Sequence, residues 1–206
     1  TSQDTACYGK DLEVDLATIM NRTCSLDSEF LVRVGMMTPN FASHTLSQLI
    51  DAFKNDHVFK FLHLPVQSGD DEVLKHMNRF YSVDDFKRIV AAFRTAIPNL
   101  TLATDVIVGF PGESAEAFEH TLQLIEHVKP DIVNISKFFP RPHTPAEKMP
   151  QRVSQTELAE RSRRMTDLAR RIAAEKNKPW IGWKGRSLID EMGKQPRWFI
   201  EENFAY

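Results

Sequence analysis

Three short strings carry most of the chemistry that this 206-residue sequence can do. They are Pro65-Val66-Gln67-Ser68-Gly69, Gly109-Phe110-Pro111-Gly112-Glu113 and Pro140-Arg141-Pro142-His143-Thr144-Pro145, each placed after a short apolar run. Gln67 and Ser68 form a polar pair that can hydrogen-bond a carboxylate or a ribose without adding charge. The alternative is an ordinary turn ahead of the helix start at Asp70-Asp71. Gly109 and Gly112 flank Phe110-Pro111 between a strand-like and a helix-like pattern. Glycine lets backbone approach a ligand, and a helix N-terminus behind it offers free N–H groups. The alternative here is a tight turn with no ligand. Arg33 and Asp105 are charges inside apolar runs. A buried charge must be paired, either by a structural ion pair or by a bound group.

Other reactive residue types are less telling. Cys7 and Cys24 are the only cysteines, and four-iron clusters need closely clustered thiolates. Cys7 reads as a small buried thiol. His57, His63 and His76 fall on different elements without an HxxxH or HExxH pair, so we read them as structural. Between Arg161 and Arg186 stand nine bases (Arg161, Arg163, Arg164, Arg170, Arg171, Lys176, Lys178, Lys184 and Arg186) against Asp167 and Glu175, a local net of +7. Such a run is either a solvated helix face or a contact for nucleic-acid phosphates.

The elements that must position these residues alternate in type. Phe30–Val34, Phe59–Leu64, Leu102–Val108 and Ile132–Phe138 read as strands. Helical spacing over 46–53 follows Ser43 as a predicted N-cap, and Ser82 with Asp85 opens a second helix. A third helix face runs from Phe118 to Val128. Val153 to Asn177 reads as one long helix behind a capping box at Ser154 and Glu157, with Val153 and Leu158 as a staple, and Pro179 stops it. Strand–helix–strand repetition with short loops predicts a parallel α/β sheet, either open or closed into a barrel. Ligands on such sheets sit at the carboxyl ends of the strands, where the three strings fall. From Trp180 onward Ile181–Gly185, Ser187–Glu191 and Trp198–Ile200 read as short strands with Gly and Pro turns.

Composition bounds the rest. The chain is 42% hydrophobic, enough for one core and a small appendage, and its net charge of −2 does not describe a general polyanion binder. No run of 18 apolar residues exists, so no membrane segment is predicted. Two cysteines this far apart suggest reduced thiols and a cytoplasmic setting. The chain opens on Thr1 and ends at Tyr206 within a strand-like pattern, and we read it as an internal piece of a larger protein.

The three strings, with Thr104–Glu113 as the longest, resemble the second half of the catalytic domain of radical S-adenosylmethionine (SAM) methylthiotransferases, the MiaB-like tRNA-modifying enzymes. Arg33-Val34-Gly35-Met36, Asn134–Phe138 and Trp180–Gly185 are most similar to the archaeal and eukaryotic branch, which converts threonylcarbamoyladenosine beside the anticodon to its 2-methylthio form. His143 departs from the glycine usual in its string. The resemblance implies a partial (β/α) barrel, strands two to six, over residues 1–150. A closing helix and linker would cover 151–178, and the start of a TRAM domain, a small RNA-binding β-barrel, 179–206. It implies SAM contacts from Ser2, Asp4, Gln67, Ser68, Gly109 and Arg141, while Arg33 and Asp105 are read as SAM contacts from their charge inside apolar runs, no family motif fixing either role. Ser2 and Asp4 would accept the methionine ammonium, Arg33 would meet the carboxylate, and Arg141 would meet SAM or a substrate phosphate. tRNA contacts would come from Arg161, Arg163, Arg164, Arg170, Arg171, Lys184 and Arg186.

The same resemblance implies two 4Fe–4S clusters in a full-length parent. One would cleave SAM to a 5′-deoxyadenosyl radical that takes hydrogen from adenine C2. The other would supply sulfur, and a further SAM the methyl group. An electron donor is implied, and no obligate protein partner. The family's CxxxCxxC triad is not in this sequence, so no cluster is expected on this chain, nor activity from it alone. Two sister chemistries, on isopentenyladenosine tRNA or a ribosomal-protein aspartate, and a non-catalytic RNA-binding module are the alternatives.

Overall fold

The computed structural model describes residues 4–9 and 11–184, together with the backbone of 188–192 and 199–202. After a short 3-10 turn at Thr5–Cys7 come α1 (Leu16–Cys24), α2 (Pro39–Ala42) and α3 (Leu46–Phe53). Next follow β1 (Phe61–His63), α4 (Asp71–His76), α5 (Val83–Ala96), β2 (Thr101–Val108), α6 (Ala115–Val128), β3 (Ile132–Lys137) and α7 (Gln155–Asn177). The last elements are β4 (Leu188–Met192) and β5 (Phe199–Glu202), an antiparallel pair.

Strands β1, β2 and β3 form a parallel sheet in that order, with His63 opposite Ala103 and Asp105 opposite Asn134. The expected strand at Phe30–Val34 is a single parallel bridge, Val32 to Val58. Its ladder breaks there, and the chain rejoins only where the Met37 N–H donates to the His63 carbonyl at 3.1 Å. Of the four parallel strands read from the apolar runs, three are named strands among the described residues, and the expected tail of strand two falls largely outside those residues. Ile181–Lys184 is a turn rather than a strand, because Gly182 takes a φ of +80° and the Trp183 N–H closes onto the Trp180 carbonyl.

Alternation gives the sheet two unlike faces. Leu62, Leu102, Val106 and Val108 are buried in the main core with Phe53, Phe86, Phe93, Phe118 and Ile125 of the helices. The other face carries Phe59, Phe61, Ala103 and Ile132 at one end, and His63, Asp105, Asn134 and Ser136 toward the carboxyl ends. Parallel sheets are normally covered on both faces. Here Asn134 and Ser136 are exposed, so this inner face is open.

Caps explain most helix starts. Ser82 and Asp85 form the reciprocal capping box expected for α5. Ser43 does not cap α3. Pro39 nucleates α2 first, Ser43 ends that helix with its hydroxyl donating to the Asn40 carbonyl, and Thr45 precedes α3. At α7 the Ser154 hydroxyl accepts the Glu157 N–H, but the returning arm of the box is diverted, because the Glu157 carboxylate turns to Arg161. Leu158, Arg161, Met165, Leu168 and Ile172 are the buried residues of α7, one stripe at three- and four-residue spacing.

Candidate functional site

Past β1 the chain meets the sheet once more. The Gln67 N–H donates to the Asp105 carbonyl and the Ile107 N–H donates to the Gln67 carbonyl, at 2.8 and 2.9 Å. Gln67 holds a φ of +68°, uncommon for a residue with a Cβ and found where the surroundings fix the backbone. A cavity of about 670 Å³ opens beside it at the carboxyl ends of β2 and β3. Its walls include Gln67, Asp105, Ile107 and Phe110, with Arg79 on one side and the segment Ser136–Phe139 plus Arg141 on another.

Asp105 anchors a polar row across three strands. Its Oδ1 accepts from His63 Nε2 on β1 and from Asn134 Nδ2 on β3, both at 2.8 Å. Burial pushes the Asp105 carboxyl up, but these two hydrogen bonds and the nearby imidazole outweigh it and leave the pKa below its ordinary value. A depressed acid stabilises the fold above the unfolded pKa, about 3.9, and that contribution is lost as pH falls through the folded value. The urea midpoint of the native chain is therefore expected to fall more steeply below about pH 4 than that of Asp105→Asn. Equal slopes would show that the row does not hold the carboxylate. His63 further meets Phe61 edge-on at 6.4 Å, and the Arg33 guanidinium lies 4.4 Å over the Phe61 ring.

Arg79 reaches the cavity from the end of α4. Asn78 adopts a left-handed φ of +58°, and the Arg79 N–H donates to the Leu74 carbonyl, which ends the helix and fixes the arginine's origin. Its Nε is buried with no hydrogen-bond partner. A buried donor without an acceptor is rare, and a bound group or a water can supply the acceptor here. Two residues on, the Tyr81 hydroxyl donates toward the Pro65 and Val66 carbonyls. Burial pushes the Tyr81 pKa up to about 12, with Arg79 opposing and Asp105 adding to the shift.

Two residues expected at a ligand, Ser68 and Gly109, lie off the cavity lining. Ser68 is fully buried, 3.4 Å from Thr121 Oγ1 on α6, and its hydroxyl accepts the Asp70 N–H. Gly109 keeps a φ of +77° with Leu158 of α7 pressed against it, and its N–H donates to Glu113 Oε2 at 2.8 Å. Neither is among the residues that line the cavity, and the Ser68 hydroxyl and the Gly109 N–H are engaged inside the fold. Asp4 lies away from the cavity and accepts from the Ala6 N–H and from the Thr38 N–H and hydroxyl. Ser2 lies outside the described residues. Gln67, Asp105 and Arg141 are the three that the fold brings together, with Arg33 farther along the inner face.

The basic run resolves into ion pairs. Arg161 sits in the apolar stripe of α7 and is 5% exposed. Its Nη1 donates to Glu113 Oε2 at 2.7 Å and to the Glu113 carbonyl at 2.9 Å, and the guanidinium also holds Glu157. Arg161, expected at tRNA, is held inside the fold by these contacts. Arg164 and Arg171 reach across to Glu119 and Glu126 of α6, while Arg163 pairs with Glu160. Arg170, Lys178 and Lys184 remain exposed without a carboxylate partner among the described residues, and Arg186 lies outside them. Most of the acids that neutralise this run, Glu113, Glu119, Glu126, Asp131, Glu157 and Glu160, lie outside the stretch from Arg161 to Arg186.

His63 was read as structural, yet it belongs to the polar row. Its signal was parity: it lies two residues from Phe61, on the face that also carries Asp105. Arg79, which no string marked, is placed by the left-handed Asn78 turn.

Residues 2–125 match the Radical SAM superfamily model. The chain belongs to the Radical SAM superfamily. Among curated proteins this radical SAM chain is 47% identical over 195 residues to a probable threonylcarbamoyladenosine tRNA methylthiotransferase of Pyrococcus horikoshii, covering 95% of the chain and 46% of that protein. It is 35% identical over 210 residues to the human threonylcarbamoyladenosine tRNA methylthiotransferase, covering 100% of the chain and 35% of that protein. The chain thus spans about half the length of the archaeal relative and less of the human one. Among solved structures, coproporphyrinogen III oxidase (HemN) from Escherichia coli, a radical SAM enzyme, aligns with a TM-score of 0.57. At 17% identity, over 76% of this chain and 37% of that one, the likeness speaks for the fold.

Radical SAM membership implies SAM and an iron–sulfur cluster. The cavity fits the first. Its volume lies in the usual range for ligand sites, and it joins apolar walls to a few convergent polar groups, among them the unpartnered Arg79 Nε. The cluster does not fit here: among the described residues no group of three His, Cys, Asp or Glu side chains could hold a metal. Cys7 is half-buried in the first turn, and Cys24 is buried at the end of α1. Among the same residues no helix is long and apolar enough to cross a membrane.

Proposed function

We propose that this chain is the SAM-cradling part of a tRNA methylthiotransferase that adds a 2-methylthio group to threonylcarbamoyladenosine beside the anticodon. The likeness to relatives of that name over 95% of the chain carries the reading. The cavity supports it, because Gln67, Asp105 and Arg141 converge at the strand ends where α/β folds hold ligands. SAM, with the cluster the family implies, supplies one-electron chemistry when bound. The residues of this chain supply binding and orientation. Gln67 offers an amide to polar groups of SAM, Asp105 an acceptor held in place from both sides, and Arg79 and Arg141 donors for oxyanions. Two clusters, with ligands and sulfur chemistry contributed from elsewhere in a parent protein, complete the proposal. So do an electron donor and a TRAM domain continuing from the β4–β5 hairpin. On α7 and just past it, phosphate contacts fall to Arg170 and Lys184.

The test uses the full-length parent in a host whose tRNA lacks the modification, with nucleosides resolved by mass spectrometry. Methylthio-threonylcarbamoyladenosine is the expected product. Methylthio-isopentenyladenosine in its place would move the substrate to a sister branch. Reconstituted parent that neither cleaves SAM nor modifies tRNA would overturn the enzyme reading.

A further inference from the structure

The rim of the cavity has a composition that its interior does not require. Among the described residues only two phenylalanines are exposed, Phe80 at 73% and Phe139 at 80%. Each adjoins cations that line the cavity: Phe80 follows Arg79, and Phe139 stands between Lys137 and Arg141. Of the lining residues three are cations and one, Asp105, is an acid. That acid already accepts two hydrogen bonds. The excess charge is therefore positive and local, in a chain of net charge −2. Phe138, the neighbour of Phe139, turns inward against Phe110, with ring centroids 5.1 Å apart, and this leaves the Phe139 ring turned out.

An outward phenyl between two cations, at the mouth of a ligand cavity, suits one kind of partner. Single-stranded RNA presents flat bases at the spacing of its phosphates, and it binds by stacking on aromatic rings and by charge neutralisation. Duplex RNA hides its bases and offers no face to a lone phenyl. We propose that the segment Lys137–Arg141 is a single-strand RNA platform, with a looped-out base stacked on Phe139 and its flanking phosphates on Lys137 and Arg141. Arg79, which also lines the cavity, adds a third cation beside the platform. An enzyme acting on a base carbon must take that base out of its stack, and a platform at the cavity mouth holds the neighbour while the target enters. This deepens the function proposed above and rests on it for the identity of the RNA. It also moves the main RNA contact away from α7, whose arginines are largely paired.

Binding is read on this chain without any cluster, so it is independent of catalysis. The probe is an anticodon-stem hairpin with 2-aminopurine in the loop, titrated against the native chain, Phe139→Ala, Phe139→Tyr and Lys137→Gln/Arg141→Gln. Phe139→Ala is expected to weaken binding roughly 5- to 150-fold and to abolish the fluorescence change, while Phe139→Tyr keeps both. The double charge variant should flatten the salt slope by about 0.7 unit for each cation removed. Affinity unchanged in Phe139→Ala, or equal competition by a fully paired duplex, would overturn the platform. The occupant is checked in the full-length parent with Phe139→Trp. An indole reached by acrylamide without RNA and shielded with it supports RNA, and one shielded in both states means another part of the parent covers the ring. If the parent methylthiolates tRNA but Phe139→Ala binds normally, the platform alone fails. If binding depends on Phe139 but no methylthio nucleoside forms, the functional reading fails alone.

Discussion

Arg161→Met is expected to destabilise the chain by about 3–5 kcal/mol, more than any change at the cavity surface. The reason is what it leaves behind. The Glu113 side chain is 1% exposed and accepts from Arg161 and from the Gly109 N–H. Burial pushes its pKa up, against the pull of the Arg161 hydrogen bond, the Gly109 N–H and the Arg161 charge, and the nearby Glu157 adds to the rise. Without the guanidinium, a carboxylate in this place has one N–H for company and must take up a proton or bring water in. Urea denaturation of Arg161→Met measures the loss. The second arm is Arg161→Met with Glu113→Gln, which removes both charges and should recover most of the stability, since replacing a whole buried pair is far less costly than halving it. A single variant as stable as the native chain would mean that Glu113 is solvated in solution.

Gly69→Ala is expected to cost several kcal/mol, or to prevent folding, for a steric reason. A Cβ at this position would stand 2.5 Å from Thr121 Cα, 2.7 Å from the His120 carbonyl and 2.8 Å from the Thr121 nitrogen. All three are backbone atoms of α6, so no rotamer change relieves the clash. Overpacking a core by a methyl costs about 1–3 kcal/mol where side chains can give, and more where they cannot. The Gly69 N–H also donates to Thr121 Oγ1 at 2.9 Å, a contact that exists only while the loop and helix touch. Thermal unfolding of Gly69→Ala checks this directly. As a second arm, Thr121→Ser in the native background keeps the acceptor and should lose little. A Gly69→Ala chain melting with the native one would show that α6 stands further off.

The sheet and most helices were legible because their signals are local. Ser82 and Asp85 announce α5 within four residues, and the β-branched run at 101–108 can do little but pair. The bridge at Val32 was over-read as a strand because an apolar run says nothing about whether a neighbour continues beside it. The site was legible by residue type and not by direction. Gln67 and Ser68 are consecutive polar residues in one string, yet one lines the cavity and the other points at Thr121. The row of His63, Asp105 and Asn134 depends on register between strands, which the pattern within any one strand does not contain. Arg161 was hidden by its company. Counted along the chain it is one base of nine, whereas counted at helical spacing it falls between Leu158 and Met165 and belongs to the core.

The clasp from Gly109 through Glu113 to Arg161 has a bearing on the order of assembly. Its two charged ends are 48 residues apart in sequence, and Phe110, a wall of the cavity, lies inside the loop it fastens. A chain emerging from the ribosome presents all three strands of the sheet, and Glu113 itself, before Arg161 exists to meet it. Until then the Glu113 side chain has only the Gly109 N–H to meet it, and burying it requires a proton or water, so the Phe110 loop is not yet fastened. The cavity is therefore among the last parts of this region to mature, and a nascent chain that stalls short of α7 has its sheet but no finished pocket.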